Sequence, residues 1–427
     1  GRHRERQEGT MLLAASLRRA ARSASAFRMC ICPLSTAVTS GSAGVFPQAP
    51  SPLQEFSVVY TDRALNHMSE PFKKVMLDMG SMFKEVYNAE HCVLIPGSGT
   101  YGMEAVARQW ATNEKVMVLR NGYFSFRWTD IFEWCSIPKE HIVVQAQSIP
   151  APVGCAPHQV QFQPCPIEEL EEMIYKEKPA VLFAPHVETS TGILLPDSYV
   201  QRMASAVHAV GGMMVLDCIA SGTIWVDMEG LGIDALITAP QKGWTGPACA
   251  GVVLLSKRGG EHTRETKSTS LCCNLGKWLE VMDSYEAGGF SYHTTMPTDA
   301  LLVARDAMAL TKEFGYAKAY EKAFALGKGV RELMSSQKGL RSVAAPGFQS
   351  PGVVVVHHED QGVAGKFVSA GTQVAAGVPF KLGEHPDTKT FRIGLFGLDK
   401  LKDPETTVAN LKRALDVAVP EPVAATG

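Results

Sequence analysis

The sequence predicts an α/β fold: a large domain on a mostly parallel seven-stranded sheet, followed by a smaller C-terminal α+β domain. Three observations carry this. Short apolar runs of strand length recur from about residue 90. Amphipathic stretches of helical period lie between several of them. After Pro297 the pattern changes to long helical stretches with only two further strands.

In chain order, the runs read as strands are 92–95, 116–119, 141–144, 180–184, 213–216, 235–238 and 252–255. Helices are predicted over 167–177 and 197–210, giving the strand, loop, helix, strand repeat of a parallel sheet. Segment 50–80 precedes the first strand and is expected to pack against the sheet. Helical stretches over 299–312 and 317–335 lead to strands over 352–357 and 390–395. The expected organisation is a leader over 1–45, a large domain over 46–310 and a small domain over 311–427.

Composition narrows the function classes. A chain of 427 residues exceeds one compact core. It has no run of 18 apolar residues, so no membrane span is expected. With 41 basic and 43 acidic residues and no long single-sign run in the body, it lacks the electrostatic footprint of a nucleic-acid or membrane binder. Small molecules are the expected partners. The ten cysteines lack metal-type paired spacing and read as reduced intracellular thiols, and no metal site is expected. From Met11 the chain carries Arg18, Arg19, Arg22 and Arg28 among Ser and Ala, with no acid between Glu8 and Glu55. That is the composition of a transit peptide, expected to direct import to the mitochondrial matrix, with the chloroplast as the alternative.

Three motifs carry chemistry. Gly97-Ser98-Gly99-Thr100-Tyr101-Gly102 follows a predicted strand and opens a predicted helix, so its free N–H groups and the helix dipole suit a phosphate. The same residues match the dinucleotide pattern GxGxxG, but the next strand ends Leu119-Arg120-Asn121 without the acid that would hold a ribose. This argues against NAD, while Arg120 leaves NADP open. Strand 213–216 runs into Asp217, placing a carboxylate at the ligand-binding edge of an α/β sheet. Lys242, in Ala239-Pro240-Gln241-Lys242-Gly243-Trp244, stands in an uncharged stretch directly after another apolar strand. A desolvated lysine can attack a carbonyl to form a Schiff base, and a buried aspartate can keep a pyridinium nitrogen protonated. Each motif alone has an ordinary structural reading as a turn, a strand end or a loop lysine; together they form a site for pyridoxal 5′-phosphate (PLP).

From about Asn66 to Ala418 the chain resembles the class V PLP-dependent aminotransferases of the alanine–glyoxylate or serine–pyruvate type, which have fold-type I. The resemblance rests on eight motifs in order: NHMS (66–69), PGSGTYGMEA (96–105), NGYFSFR (121–127), HVETSTG (186–192), LDCIAS (216–221), APQKGW (239–244), YHTTMP (292–297) and FRIGLFG (391–397). It implies that Ser98, Gly99, Thr100 and Gln241 bind the cofactor phosphate. It implies further that Phe124 stacks on the pyridine ring, Ile219 closes the opposite face, Thr189 lies near the phenolic oxygen and Asp217 pairs with the ring nitrogen. Tyr292 and Thr295 would reach the phosphate of a neighbouring subunit, making a homodimer with shared sites. Arg392 would grip the substrate α-carboxylate.

The implied reaction moves an amino group from a small alanine- or serine-like amino acid to a 2-oxo acid such as glyoxylate or pyruvate, with Lys242 as anchor and proton carrier. Where such enzymes have a Gly-Pro-rich loop beside the substrate, this chain has Ser57-Val58-Val59-Tyr60-Thr61-Asp62-Arg63-Ala64. Arg63 is either a second anion clamp or a loop arginine paired with Asp62. As a clamp it would favour an acidic, phosphonate or sulfonate amino compound, handled by a transaminase or a lyase. Desulfuration is disfavoured, since no cysteine follows Cys273.

Overall fold

The computed structural model describes residues 53–61, 64–151, 155–337 and 339–420. The leader and Arg63 lie outside the described residues. All seven predicted sheet strands are present: β1 (His91–Pro96), β2 (Lys115–Arg120), β3 (Glu140–Gln145), β4 (Val181–Pro185), β5 (Met213–Asp217), β6 (Ala235–Thr238) and β7 (Ala250–Leu255). They form one sheet in the order β1-β7-β6-β5-β4-β2-β3. Neighbours from β6 through β5, β4 and β2 to β3 are parallel, whereas β7 runs antiparallel to both β1 and β6. The reversal follows from the link 239–249, which makes a turn and holds no helix. A parallel return needs a crossover of a dozen or more residues, so this strand comes back antiparallel.

Helices cover the sheet because its strands are apolar on both faces, as in the fully buried run of β5. Segment 66–88, for which the sequence predicts only packing against the sheet, forms helix α1 (Glu70–Tyr87). The Ser69 side chain accepts from Phe72 N–H at its start, and Asn88 closes it in a left-handed conformation. Its Phe72, Val75, Met76, Met79 and Phe83 recur at helical spacing and enter the main core. Helices α2 (Gly99–Trp110) and α3 (Tyr123–Cys135) follow β1 and β2. The predicted stretch 167–177 is α4 (Ile167–Glu177), and α5 is Asp197–Ala209.

Helix α6 (Thr298–Phe314) contributes Leu301, Ala304 and Met308 to the same core. It ends at Gly315, whose φ of +98° separates it from α7 (Tyr316–Ser336). Four short antiparallel strands follow where two were expected: β8 (Arg341–Ser342), β9 (Val353–His357), β10 (Ala375–Ala376) and β11 (Thr390–Gly394), ordered β8-β9-β11-β10. The valine run of β9 divides by period two. Val354 and Val356 pack with α7 and the C-terminal helix Pro404–Ala418, while Val353 and Val355 face a separate cluster with Ile193, Ala220 and Phe380. Strand β11 divides likewise, with Phe391 and Ile393 in the first of these clusters. That alternation turns Arg392 to the other face.

Candidate active site

A cavity of about 520 Å³ opens at the carboxyl ends of the parallel strands and the amino end of β7. This is the edge where open α/β sheets bind ligands. Ser98, Gly99, Thr100, Phe124, Thr189, Asp217, Ile219, Gln241, Lys242 and Arg392 all line it. Tyr292 and Thr295 do not; their hydroxyls bond to each other at 3.0 Å on an exposed segment. Arg120, which left NADP open, is buried and committed: its Nη2 donates to Thr129 Oγ1 at 2.7 Å, and its guanidinium lies 4.8 Å from the Phe126 ring centroid.

The turn after β1 is built for close approach. Gly97 has φ +133°, a conformation side chains rarely adopt, and a Cβ on Gly99 would lie 2.5 Å from Ile219 Cδ1. Ser98 is the N-cap of α2, yet its side chain makes no capping bond. The Tyr101 and Gly102 amides donate back to Ser98 O, while those of Gly99 and Thr100 have no backbone acceptor among the described residues. These unpaired N–H groups at the positive end of a helix form an anion cradle.

Lys242 sits on a turn held from both sides. Gly243 packs so closely on Gly222 that a Cβ there would fall 2.3 Å from Gly222 O. Trp244 is fully buried among Phe83, Trp225 and Tyr316. Thr245 carries φ +55°, unusual for a β-branched residue and a local strain beside the lysine. Burial lowers the Lys242 ammonium below the ordinary lysine range, and the Arg127 and Arg392 guanidiniums lower it further. The amine form is thereby favoured, which is the nucleophilic form.

Asp217 shows the opposite sign. Burial pushes its carboxyl up to about 7, against the Ile219 N–H bond at 2.9 Å, which lowers it; Glu188 raises it and Arg127 lowers it. A desolvated carboxylate with one backbone donor lacks a cationic partner, and a protonated ring nitrogen supplies one. The cradle, the buried Asp217, Lys242 with its lowered ammonium and the apolar walls of Phe124 and Ile219 together fit PLP.

Two features of the site went unread in the sequence. Arg127 lines the cavity one helical turn after Phe124, and the i, i+3 spacing that puts both on one face was available as a signal. Glu188 is the other. Fully buried, its carboxylate oxygens accept from Phe124 N–H (3.1 Å), Ser125 N–H (2.8 Å), Ser125 Oγ (2.7 Å), Ser190 N–H (3.0 Å) and Ser190 Oγ (2.7 Å). An acid at the start of a helix satisfies its orphan donors and its dipole, so Glu188 fixes the helix that presents Phe124. Glu188→Ala strands these donors and is expected to cost about 3 kcal/mol or more of stability in urea unfolding.

The chain matches the model of the family described as Aminotransferase class-V over residues 40–368. It is 25% identical to rat alanine–glyoxylate aminotransferase over 286 residues, 64% of this chain and 63% of the rat protein. It therefore spans under two thirds of that relative's length. It is 25% identical to the 2-aminoethylphosphonate–pyruvate transaminase of Pseudomonas aeruginosa, across 76% of this chain and 82% of the relative. The solved alanine–glyoxylate aminotransferase from Nostoc sp. superposes with a TM-score of 0.69 at 21% identity, covering 83% of this chain and 89% of that one, which shows the shared fold-type I architecture. With the family model spanning most of its length, the chain belongs to the class V aminotransferases.

Proposed function

We propose that the protein is a PLP-dependent transaminase that moves an amino group from a small amino acid of the alanine or serine type to a 2-oxo acid such as glyoxylate or pyruvate. The observation that carries this reading is the convergence of Asp217, Lys242 and Arg392 on one cavity with the Ser98–Thr100 cradle. Ser98, Gly99, Thr100 and Gln241 would hold the phosphate. Asp217 would hold the ring nitrogen, Phe124 and Ile219 the two faces, and Thr189 the region of the phenolic oxygen. Bound there, PLP supplies a carbonyl carbon for amines and a ring that accepts electrons.

The chain's own residues do the rest. Lys242 Nζ would take the proton from the substrate Cα, and the lowering of its ammonium by burial and by two arginines supports that role. Arg392 donates from Nε to Ala376 O at 2.9 Å, which fixes the guanidinium and leaves its two terminal nitrogens for a carboxylate. Arg392→Ala is expected to raise KM for the amino donor about a hundredfold with a smaller change in kcat, measured by steady-state kinetics.

A second reading, an acidic, phosphonate or sulfonate amino compound, draws support from two arginines in one cavity and from the printed activity of the Pseudomonas relative. The test is spectral: alanine should discharge the visible band of the holoenzyme, and glyoxylate or pyruvate should restore it. Discharge by 2-aminoethylphosphonate or a dicarboxylic amino acid but not by alanine would transfer the assignment to the second reading. The exposed Tyr292–Thr295 pair supports a homodimer in which each protomer completes its partner's phosphate site. The acid-free, arginine-bearing stretch between Glu8 and Glu55 supports mitochondrial import.

A further inference from the structure

We propose that Arg127 is a cofactor-positioning residue whose guanidinium bridges the Thr100 hydroxyl of the phosphate-binding turn and the Phe124 ring, locking the phosphate grip and the stacking wall into one unit. The proposal rests on PLP being the cofactor.

Its geometry is specific. Arg127 Nη1 donates to Thr100 Oγ1 at 3.0 Å, and the same guanidinium lies 5.4 Å from the Phe124 ring centroid. A hydroxyl has one proton to donate and two lone pairs to accept with. Accepting from Arg127 commits one lone pair of Thr100 and leaves its O–H free for an acceptor in the cavity, which in a phosphate site is a phosphate oxygen. Arg127 thereby orients the hydroxyl as a donor. Its position over Phe124, a contact in which a guanidinium gains from the ring quadrupole, holds the ring at a fixed angle to the same turn.

The start of the helix carrying Arg127 and Phe124 is tied to Glu188, so the Arg127 end of the bridge stands on a fixed helix start. The hydrogen bond Arg127 makes goes to a neutral hydroxyl, not to a carboxylate. Its positive charge therefore remains available to the cavity, where a phosphate dianion is the natural counter-charge. Arg127 lines the same cavity as Asp217 and Lys242 and acts electrostatically on both.

The experiment is a double-mutant cycle on PLP retention. Holoenzyme forms of the wild type, Arg127→Gln, Thr100→Val and the double variant are diluted, and PLP dissociation is followed by the visible band and its circular dichroism. Arg127→Gln is expected to weaken PLP binding about tenfold or more. The double variant should lose less than the product of the two single losses, because both changes break one bridge. Arg127→Met, which keeps the apolar stem, gives the same readout if the glutamine variant is unstable. Wild-type affinity in either Arg127 variant, or a double loss equal to the product of the singles, would overturn the proposal. Failure of the wild type to retain PLP would instead remove the transaminase reading beneath it.

Discussion

Lys242→Ala is expected to lose turnover by at least about 10⁴-fold while folding normally, because it removes the cavity's amine nucleophile and its base in one change. The side chain is half-buried and its ammonium is disfavoured by burial and by two arginines, so the native state loses no ion pair when it goes. Stability should stay within about 1 kcal/mol of wild type. The diagnostic pattern is therefore a normal melting curve, a missing visible band for the lysine-bound cofactor and no half-reaction. A variant that kept the band and the turnover would place the chemistry on another lysine.

Asp217→Asn should have the second largest effect, and its sign depends on what is bound. Without PLP, the Asp217 carboxyl titrates near 7 in the folded chain and near its ordinary 3.8 when unfolded. Below about pH 4 both states are protonated and the group is neutral to folding. Between about pH 4 and 7 the unfolded chain gives up this proton while the folded chain keeps it, so stability is lost across that window, by up to a few kcal/mol, and levels off above 7, where the folded chain holds a desolvated carboxylate. Asparagine removes that penalty. The apo variant should thus melt above apo wild type at pH 8, with the difference vanishing toward pH 4. Adding PLP should reverse the order at pH 8, because only the carboxylate compensates a protonated ring nitrogen and binding stabilises the native state. Turnover of the variant should fall about a hundredfold or more. A pH-independent difference between the two apo proteins would show that Asp217 is not desolvated.

The elements nearest the chemistry were legible because strand ends in an α/β sheet have fixed meaning. Asp217 and Lys242 each follow an apolar run, and such runs end at the ligand edge. The direction of β7 was not legible strand by strand: it depends on the link 239–249 lacking a helix, a property of the connection rather than of the strand. Helix α1 is legible at its start, where Ser69 followed by Glu70-Pro71 is an N-terminal helix signal, but the position of segment 50–80 before the sheet does not by itself reveal it. Arg127 lies in the NGYFSFR motif, and its i, i+3 spacing from Phe124 is enough to place both on one helix face. Glu188 could not have been found this way, since its bonds to Phe124 and Ser125 join residues far apart in the chain. Arg120 shows the converse, since an exposed cation and a buried one read alike in sequence.

The central claim is that Lys242, on the turn that leads into the strained Thr245, is the residue to which PLP attaches. Borohydride reduction of the holoenzyme followed by peptide mass spectrometry tests it most directly. The account predicts a single reduced pyridoxyl adduct on the peptide containing Lys242, absent when alanine is added before the reductant. An adduct on a different lysine, or none in protein that retains PLP, would contradict it.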